Sequence, residues 1–313
     1  MAIVERIAFV CPRFAEGATV GGAEILLKNL ALRTVSAGRK VTFLTTCATN
    51  HFTWTNELSP GSRITGGMEV IFFPVDEERD VNAFLRVQET ISRGKPVGEE
   101  EESLWLHNSV NSTALCDYLR EHEKEYEKIV MGPYLFGLIY FAAQVNPSKT
   151  ILVPCLHNEP FAYLKSFRIM FQTVGGFMYN TAPERDLASR LFSLNPDDLP
   201  VVGMGLDPFE VDSTAFSRKH RLSTPYVIYS GRREPLKGTP LLIDYMDAFR
   251  RRTKRDIRLV FTGSGQIEVP SELGPQRILN SFASEKEKHE AMAGAVAFCH
   301  PSVNESMGIV ILE

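Results

Sequence analysis

The chain has 313 residues, which is room for roughly two domains, and its 44% hydrophobic and 23% charged residues are ordinary for a globular protein. A formal net charge of −4 argues against a general nucleic-acid binder, which would need a cationic surface. No apolar run reaches the roughly 18 residues of a membrane span. The five cysteines form no Cys-x-x-Cys pair and the N-terminus lacks a signal-peptide pattern, so a cytoplasmic protein with reduced thiols is expected.

The first part of the chain predicts a βαβ unit. Residues 7–11 form an apolar strand, Gly21 and Gly22 precede a helix that runs to about Ala37, and residues 41–46 form a second strand. In open α/β sheets ligands bind at the carboxyl ends of the strands, and glycine there lets the backbone approach closely. The spacing is not Gly-x-Gly-x-x-Gly, which disfavours a nicotinamide dinucleotide.

The middle of the chain mixes further strands with charged and aromatic stretches. Residues 47–67 predict a long loop or an irregular hairpin, and residues 76–103 are charge-rich, which predicts a solvated surface or a mobile insert. A helix is predicted from about 103 to 123. The aromatic and basic stretch 161–173 is predicted either to pack as an amphipathic core helix or to touch a membrane or a lipid-linked acceptor.

A histidine stands at the end of one predicted strand in this middle part. The strand over residues 150–156 is followed directly by His157, which places an imidazole at the ligand edge of the sheet. A neutral imidazole can polarise a hydroxyl or accept a proton, so a functional role is one prediction. A structural, hydrogen-bonded histidine is the alternative.

A second βα unit begins at Tyr226. Its strand leads into a turn that carries Arg232 and Lys237, whose guanidinium and ammonium groups suit phosphate oxygens. The neighbouring Arg233 is better explained as a solvated cation. The helix that follows is predicted to turn Leu241, Leu242, Tyr245, Met246 and Phe249 inward. A further strand ends in the glycine turn Gly263-Ser264-Gly265.

The last stretch predicts a short buried strand over 295–299, a polar turn and the start of an apolar helix. Free N–H groups at such a helix start favour an anion. Glu305 lies in the turn and Glu313 follows eight positions later. Carboxylates at these positions can each accept hydrogen bonds from sugar hydroxyl groups.

These motifs, in this order, resemble those of the family-4 retaining glycosyltransferases: Gly-Gly-x-Glu, a histidine at a strand end, Gly-Arg-x4-Lys-Gly and Glu-x7-Glu. The resemblance implies an α/β protein of the GT-B fold, with two Rossmann-like domains facing across a cleft. Residues 1–205 would form the acceptor-side domain and residues 206–313 an incomplete nucleotide-sugar domain.

The resemblance also implies two sets of site residues. The residues around the transferred sugar and the diphosphate, expected to act in catalysis, are His157, Arg232, Lys237 and Glu305. The residues expected to bind the rest of the donor nucleotide are Gly21, Gly22, Gly263, Ser306, Met307, Gly308 and Glu313.

The implied activity is transfer of a hexose, with retention, from a UDP- or GDP-sugar to a hydroxyl of a saccharide or glycolipid, in polysaccharide biosynthesis. The chain contains no Asp-x-Asp motif, so neither a metal nor another cofactor is expected. The alternative is a non-catalytic protein of the same fold that binds a nucleotide-sugar or a partner. A GT-B enzyme of other chemistry would not be expected to pair Gly-Arg-x4-Lys with Glu-x7-Glu.

The position of Glu313 inside the predicted last helix leads to three further expectations. A chain that stops there would have an incomplete second domain and could be inactive. It would also leave an apolar face through which copies of the chain could self-associate. Peripheral contact with the inner face of the membrane is a separate expectation.

Overall fold

This computed structural model describes residues 6–16, 21–233, 235–263, 265, 267–268, 277–278, 284–302, 305 and 307–313. The chain divides into two compact units, Met1–Met204 and Gly205–Glu313. Each unit is built around its own largely parallel sheet, so the predicted α/β class is confirmed. Ser264 and Ser306, both named in the sequence motifs, lie outside the described residues.

The N-terminal unit is built on one sheet. Its described strands are β1 Arg6–Val10, β2 Lys40–Thr46, β3 Gly61–Thr65, β4 Met68–Phe73, β5 Lys128–Met131, β6 Thr150–Leu152 and β7 Gly176–Phe177. They lie in the order β3-β4-β2-β1-β5-β6-β7, and β3 runs antiparallel to β4 while the other neighbouring pairs are parallel. Because the parallel strands share one direction, their carboxyl ends meet at one edge, where ligands bind in such sheets.

Helices cover this sheet. Their described bounds are α1 Gly22–Ser36, α2 Val81–Ser92, α3 Glu99–His107, α4 Thr113–His122, α5 Gly137–Ala143, α6 Lys165–Thr173 and α7 Ala182–Phe192. Along β1, Ala8 and Val10 pack into one hydrophobic cluster, whereas Phe9 and Cys11 pack into another. Successive side chains of a strand point to opposite faces, so the central strand is buried on both sides, as its apolar sequence predicted.

Most of the charge-rich segment 76–103 is exposed, as the solvated-surface prediction expected, but the segment is helical and contributes side chains to the core. The segment forms α2 and the beginning of α3, with Ala83, Val87 and Ile91 buried at a spacing of four residues. The carboxylate of Glu102 accepts hydrogen bonds from the backbone N–H groups of Lys165 and Ser166. The charges occupy the outer side of an amphipathic pair of helices, which a simple count of charged residues does not reveal.

The C-terminal unit contains a second, smaller parallel sheet. Its described strands are β8 Tyr226–Ser230, β9 Arg258–Thr262, β10 Arg277–Ile278 and β11 Ala297–Phe298, in the order β10-β9-β8-β11. Its described helices are α8 Ala215–Lys219, α9 Thr239–Thr253 and α10 Glu285–Ala293. The site motifs of this half of the chain follow β8, β9 and β11.

Two expectations for this unit need correction. On α9, Leu242 and Met246 are buried as predicted, but Leu241, Tyr245 and Phe249 are 44%, 61% and 39% exposed. The helix turns Ile243 inward and these three outward, because one apolar stripe covers only part of its circumference. The strand predicted over 295–299 is short and partly exposed, since β11 lies at the edge of the described sheet.

The stretch 161–173 is largely an amphipathic core helix. Phe167, Met170 and Phe171 of α6 are buried, while Ile169 is exposed. Among the described residues, no helix combines the length and the apolar character that crossing a membrane requires.

Replacing Trp105 tests the packing of α2 and α3. Its ring is 2% exposed and stacks on Phe84 and Phe161, with centroids 5.8 and 5.3 Å away. We expect Trp105→Ala to lower the free energy of unfolding of the N-terminal unit by about 3–5 kcal/mol. Urea denaturation followed by the fluorescence of Trp54, the remaining tryptophan, measures this. The matched change Leu104→Ala, on the exposed side of α3, should cost under about 1 kcal/mol. Equal effects would mean that the packing is not as described.

Candidate active site

Three side chains from two βα turns meet in the C-terminal unit. The ammonium of Lys237, just before α9, lies 2.6 Å from Oε1 of Glu305, and Nε2 of His300 lies 3.1 Å from the same oxygen. Lys237 and Glu305 are about three-quarters buried, with side chains 22% and 25% exposed. The structure therefore brings together two of the four predicted catalytic residues and adds a histidine that the motifs did not include.

A close backbone contact sets the position of Lys237. Gly238 adopts a positive φ of +69°, and a Cβ there would lie 2.7 Å from the carbonyl oxygen of Pro301. A side chain is disfavoured both by this conformation and by the contact, so glycine lets the start of α9 lie against the 300–302 turn. In the Lys-Gly pair of the motif, Gly238 therefore allows the close contact that brings the ammonium of Lys237 near Glu305.

The surroundings of Glu305 favour its charged form. Burial alone would raise the pKa of this carboxyl, but hydrogen bonds from Lys237, Ser302 and His300 and the charge of Lys237 lower it below its ordinary value. Glu305 is therefore ionised at neutral pH and can only accept hydrogen bonds. Such a group suits the hydroxyls of a sugar.

The two neighbouring arginines after β8 have opposite surroundings. Arg232 is exposed, and its carbonyl accepts a hydrogen bond of 2.7 Å from the hydroxyl of Tyr229. Arg233 is only 3% exposed and donates to the carbonyls of Gly263 and Gly265, at 3.1 and 2.8 Å. The prediction that Arg233 is a solvated cation was therefore wrong, because its fork holds the glycine turn after β9. A Cβ at Gly263 would lie 2.4 Å from the carbonyl of Gly231, so this turn packs directly on the one that carries the arginines.

The segment predicted to open an apolar helix forms only a 3-10 turn, Ile309–Ile311. Among the described residues after Gly308, the single α-type bond runs from the N–H of Glu313 to the carbonyl of Ile309, at 3.3 Å. The predicted anion-binding helix start is thus not seen in the described residues. Gly308 nevertheless lies beside the site, since a Cβ there would be 3.8 Å from Nε2 of His300. Met307 is partly exposed.

Glu313 lies against α10. Its side chain is 9% exposed, and Oε1 is 2.7 Å from the ammonium of Lys288, which also contacts Glu285 at 2.5 Å. Ligand atoms of Glu285, His289 and Glu313 lie within 4.8 Å of one another, a grouping that could hold a metal ion. Since the ammonium of Lys288 already bridges the two carboxylates, the cluster is explained as an ion-pair network.

His157 belongs to the N-terminal unit, in the loop after β6, and is partly exposed. The loop is anchored by Glu184 of α7, whose carboxylate accepts hydrogen bonds of 2.7 Å from the N–H groups of Leu156 and Asn180. Glu184 thereby joins the segments that follow β6 and β7. Burial, opposed by these hydrogen bonds, raises its pKa from the ordinary 4.5 to about 7.

The predicted glycines of the N-terminal unit lie at the start of α1. Gly21 precedes the helix, and a Cβ there would lie 2.2 Å from Oε2 of Glu24. Glu24 forms a buried ion pair with Arg13, which also donates to the carbonyl of Thr49 at 2.9 Å. Gly22 is exposed. The absence of a side chain at Gly21 leaves room for this pair at the ligand edge of β1.

Several residues that organise these sites are not among the predicted site residues: Arg13, Glu184, Tyr229, Arg233, Lys288 and His300. His300 directly follows the predicted strand over 295–299 and Arg233 stands next to the predicted Arg232, so their positions offered a signal. Their function could not be read from it, because each acts through a partner distant in the sequence.

Residues 211–313 match the family described as "Glycosyl transferases group 1". A comparison with curated proteins finds no match.

Solved structures resemble the chain in fold at low sequence identity. The trehalose-6-phosphate synthase OtsA is 13% identical, with a TM-score of 0.70, and the alignment covers 98% of this chain and 80% of that one. The structure described as "Trehalose-6-phosphate from E. coli bound with UDP-2-fluoro glucose" is 12% identical, with a TM-score of 0.67 and the same coverage. WaaG, a glycosyltransferase involved in lipopolysaccharide biosynthesis, is 15% identical, with a TM-score of 0.61, over 98% and 77%.

Residues 211–313 therefore resemble the glycosyl transferases group 1, and the chain has the GT-B fold of the solved glycosyltransferase structures. The resemblance inferred from the sequence motifs is confirmed at this level, and so is the prediction of an enzyme of this class.

Gly238 provides a direct test of how the site is assembled. We expect Gly238→Ala to destabilise the C-terminal unit by about 1–3 kcal/mol or more, because it combines a strained backbone with a clash against Pro301. Thermal unfolding followed by circular dichroism measures this. Gly205→Ala, at a glycine of the same unit with open space around it, should be nearly neutral. A neutral Gly238→Ala would show that the contact with Pro301 is not tight.

The raised pKa of Glu184 predicts that the stability of the N-terminal unit depends on pH. Its pKa is raised in the folded state, so the folded chain binds more protons than the unfolded chain between pH 4.5 and about 7. Its contribution to stability is therefore fully present below pH 4.5 and is lost as pH rises to about 7, by on the order of 3 kcal/mol.

In Glu184→Gln this contribution disappears. The difference in melting temperature between parent and variant, followed by tryptophan fluorescence, should therefore shift in the variant's favour from pH 5 to pH 7. The matched Glu121→Gln, at an exposed glutamate, should show no such trend. A difference for Glu184→Gln that stays constant with pH would contradict the prediction.

Proposed function

We propose that the protein transfers a hexose from a nucleoside-diphosphate sugar to a hydroxyl of a saccharide or glycolipid, with retention of configuration. The observation that carries this is the pairing of Lys237 with Glu305, 2.6 Å apart, in the unit that matches the glycosyl transferases group 1. A cation suited to a diphosphate and a carboxylate suited to sugar hydroxyls lie side by side, as a donor that joins these two groups requires.

In this proposal the donor is bound by residues of the C-terminal unit. Arg232 and Lys237 bind the diphosphate and stabilise the negative charge that develops as it leaves. Glu305 accepts hydrogen bonds from the transferred sugar. Glu313 holds the ribose, and its Oε2 is a buried acceptor without a hydrogen-bond partner among the described residues, which a ribose hydroxyl would satisfy. Gly263 approaches the base, and the backbone at Met307 and Gly308 approaches the leaving group.

The acceptor is proposed to bind the N-terminal unit. A cavity of about 540 Å³ there is lined by Lys95, Asn158, Glu159 and Tyr163. The last three follow His157 closely in the sequence, and Lys95 lies in the turn between α2 and α3. Apolar walls with a few polar groups are typical of small-molecule sites, and an exposed tyrosine can stack on a sugar ring. His157 acts near the reacting hydroxyl, and Gly21 and Gly22 let the backbone approach the donor.

Retention and the choice of donor draw support from one set of neighbours. A trehalose-6-phosphate synthase structure with a TM-score of 0.64 is described as giving insight into enzymatic glycosyltransfer with retention, and another is bound to UDP-2-fluoro glucose. UDP-glucose is therefore the first donor to test. No metal is proposed to take part. Two further proposals rest on exposed apolar side chains. Copies of the chain self-associate through such side chains. The protein contacts the membrane peripherally through Tyr163 and Ile169.

Calorimetric titration tests the donor site. The probes are UDP, GDP and ADP and their hexose conjugates, added to the parent, to Arg232→Ala and to Lys237→Met. We expect one nucleotide to bind saturably and each variant to weaken it by tenfold or more, since each loses a charge-assisted hydrogen bond to phosphate, about 1.5–3 kcal/mol. Lys219→Met removes another Lys–Glu pair of the same unit, 2.9 Å from Glu287, and should bind like the parent.

Turnover separates the enzyme from the alternative, a protein that binds nucleotide-sugars without catalysis. Release of the nucleoside diphosphate with candidate acceptors measures transfer, and NMR of the product reports its anomeric configuration. An inverted product would refute retention. Saturable binding without release under any condition would favour the non-catalytic alternative, and failure of the parent to bind any nucleotide would refute the proposed function.

A further inference from the structure

His300 is a contact of Glu305 to which the proposed function gives no role. It lies two residues after the end of β11, its side chain is 12% exposed, and its Nε2 lies 3.1 Å from Oε1 of Glu305. A buried ring beside the sugar-binding carboxylate either stabilises the fold alone or determines where that carboxylate points.

Two aromatic rings pack near the imidazole. His300 stacks nearly parallel to Tyr229 and to Phe298, with ring centroids 6.2 and 5.8 Å away and interplanar angles of 8° and 15°. Tyr229 is held in turn by the hydrogen bond from its hydroxyl to the carbonyl of Arg232. The imidazole therefore has a defined orientation before any ligand binds.

The hydrogen-bond pattern also selects a tautomer. Nδ1 of His300 is buried and has no hydrogen-bond partner among the described residues. A proton on Nδ1 would be a buried donor without an acceptor, which costs free energy, whereas a proton on Nε2 is donated to the carboxylate. The neutral ring with its proton on Nε2 satisfies the contact with Glu305.

Lys237 and His300 hold the same carboxylate oxygen but differ in stiffness. Lys237 reaches Glu305 with a flexible ammonium, and in the proposed function that ammonium also serves the diphosphate. His300 is held by two rings and has no such second task. When a donor binds, the rigid partner can keep the orientation of Glu305 while the flexible one turns to phosphate.

We propose that His300 is a positioning residue that keeps Glu305 aimed at the transferred sugar while Lys237 binds the diphosphate. The inference rests on the proposed function and deepens it. It divides donor recognition into a diphosphate part, carried by Arg232 and Lys237, and a sugar part, carried by Glu305 through His300.

Two substitutions separate the ring nitrogens. His300→Gln places an amide nitrogen near the position of Nε2, whereas His300→Asn reaches only as far as Nδ1. Calorimetry with UDP, UDP-glucose, GDP and GDP-mannose gives the affinity for each nucleotide-sugar relative to its nucleoside diphosphate. We expect His300→Gln to have the same ratio of nucleotide-sugar affinity to nucleoside diphosphate affinity as the parent. His300→Asn should lower it about tenfold, the scale of one hydrogen bond to a charged group, and leave nucleoside diphosphate affinity within about twofold.

Two controls make the result specific. His220→Asn removes another His–Glu contact of the same unit, 2.9 Å from Glu287, and should leave the ratio unchanged. Glu305→Gln should lower the ratio by itself, and adding His300→Asn should lower it no further if the two side chains act as one unit. Circular dichroism checks that each variant is folded.

The outcomes distinguish the inference from the proposed function. A ratio in His300→Asn equal to that of the parent would overturn the inference. So would a parallel loss of nucleoside diphosphate and nucleotide-sugar affinity in a folded variant, because that pattern indicates a purely structural role. Failure of the parent itself to bind any of the four probes would overturn the proposed function, and the inference with it.

Discussion

The ion pair between Lys237 and Glu305 is the interaction on which the C-terminal site depends. It joins two turns that are far apart in the sequence, and it forms because Gly238 has no side chain to hold the start of α9 away from Pro301. The two side chains are 22% and 25% exposed, and removing one partner would leave a partly shielded charge without its counter-ion. In the proposed function, a donor that carries a diphosphate and a sugar would offer each charge a new partner.

Buried polar side chains do similar work elsewhere in both units. Arg233 holds the glycine turn after β9, Glu184 holds the segments that follow β6 and β7, and Glu102 holds the start of α6. In each case the side chain satisfies backbone groups that no strand or helix satisfies. Loops at the carboxyl ends of parallel strands must present ligand-binding groups, and these side chains give the loops a defined shape without extending the sheet.

Much of the fold and part of the site could be predicted from the sequence. The βα order, the α/β class and the glycosyltransferase resemblance followed from local periodicity and motif spacing, which short stretches of chain express by themselves. The motifs implied that Lys237 and Glu305 both lie around the transferred sugar and the diphosphate, and the short distance between them agrees with this. The packing of 76–103 could not be predicted, since its buried side depends on partners such as Trp105 and α6 that lie further along the chain.

By itself the sequence determined which residue types stand at the ends of which strands, because hydrophobic period and glycine position are local properties. Only the tertiary structure decided that Arg233 points inward while Arg232 is exposed, and that His300 contacts Glu305. The physical reason is that burying a charged or polar group is favourable only where a partner satisfies it. Each of those partners is supplied by another element of the fold.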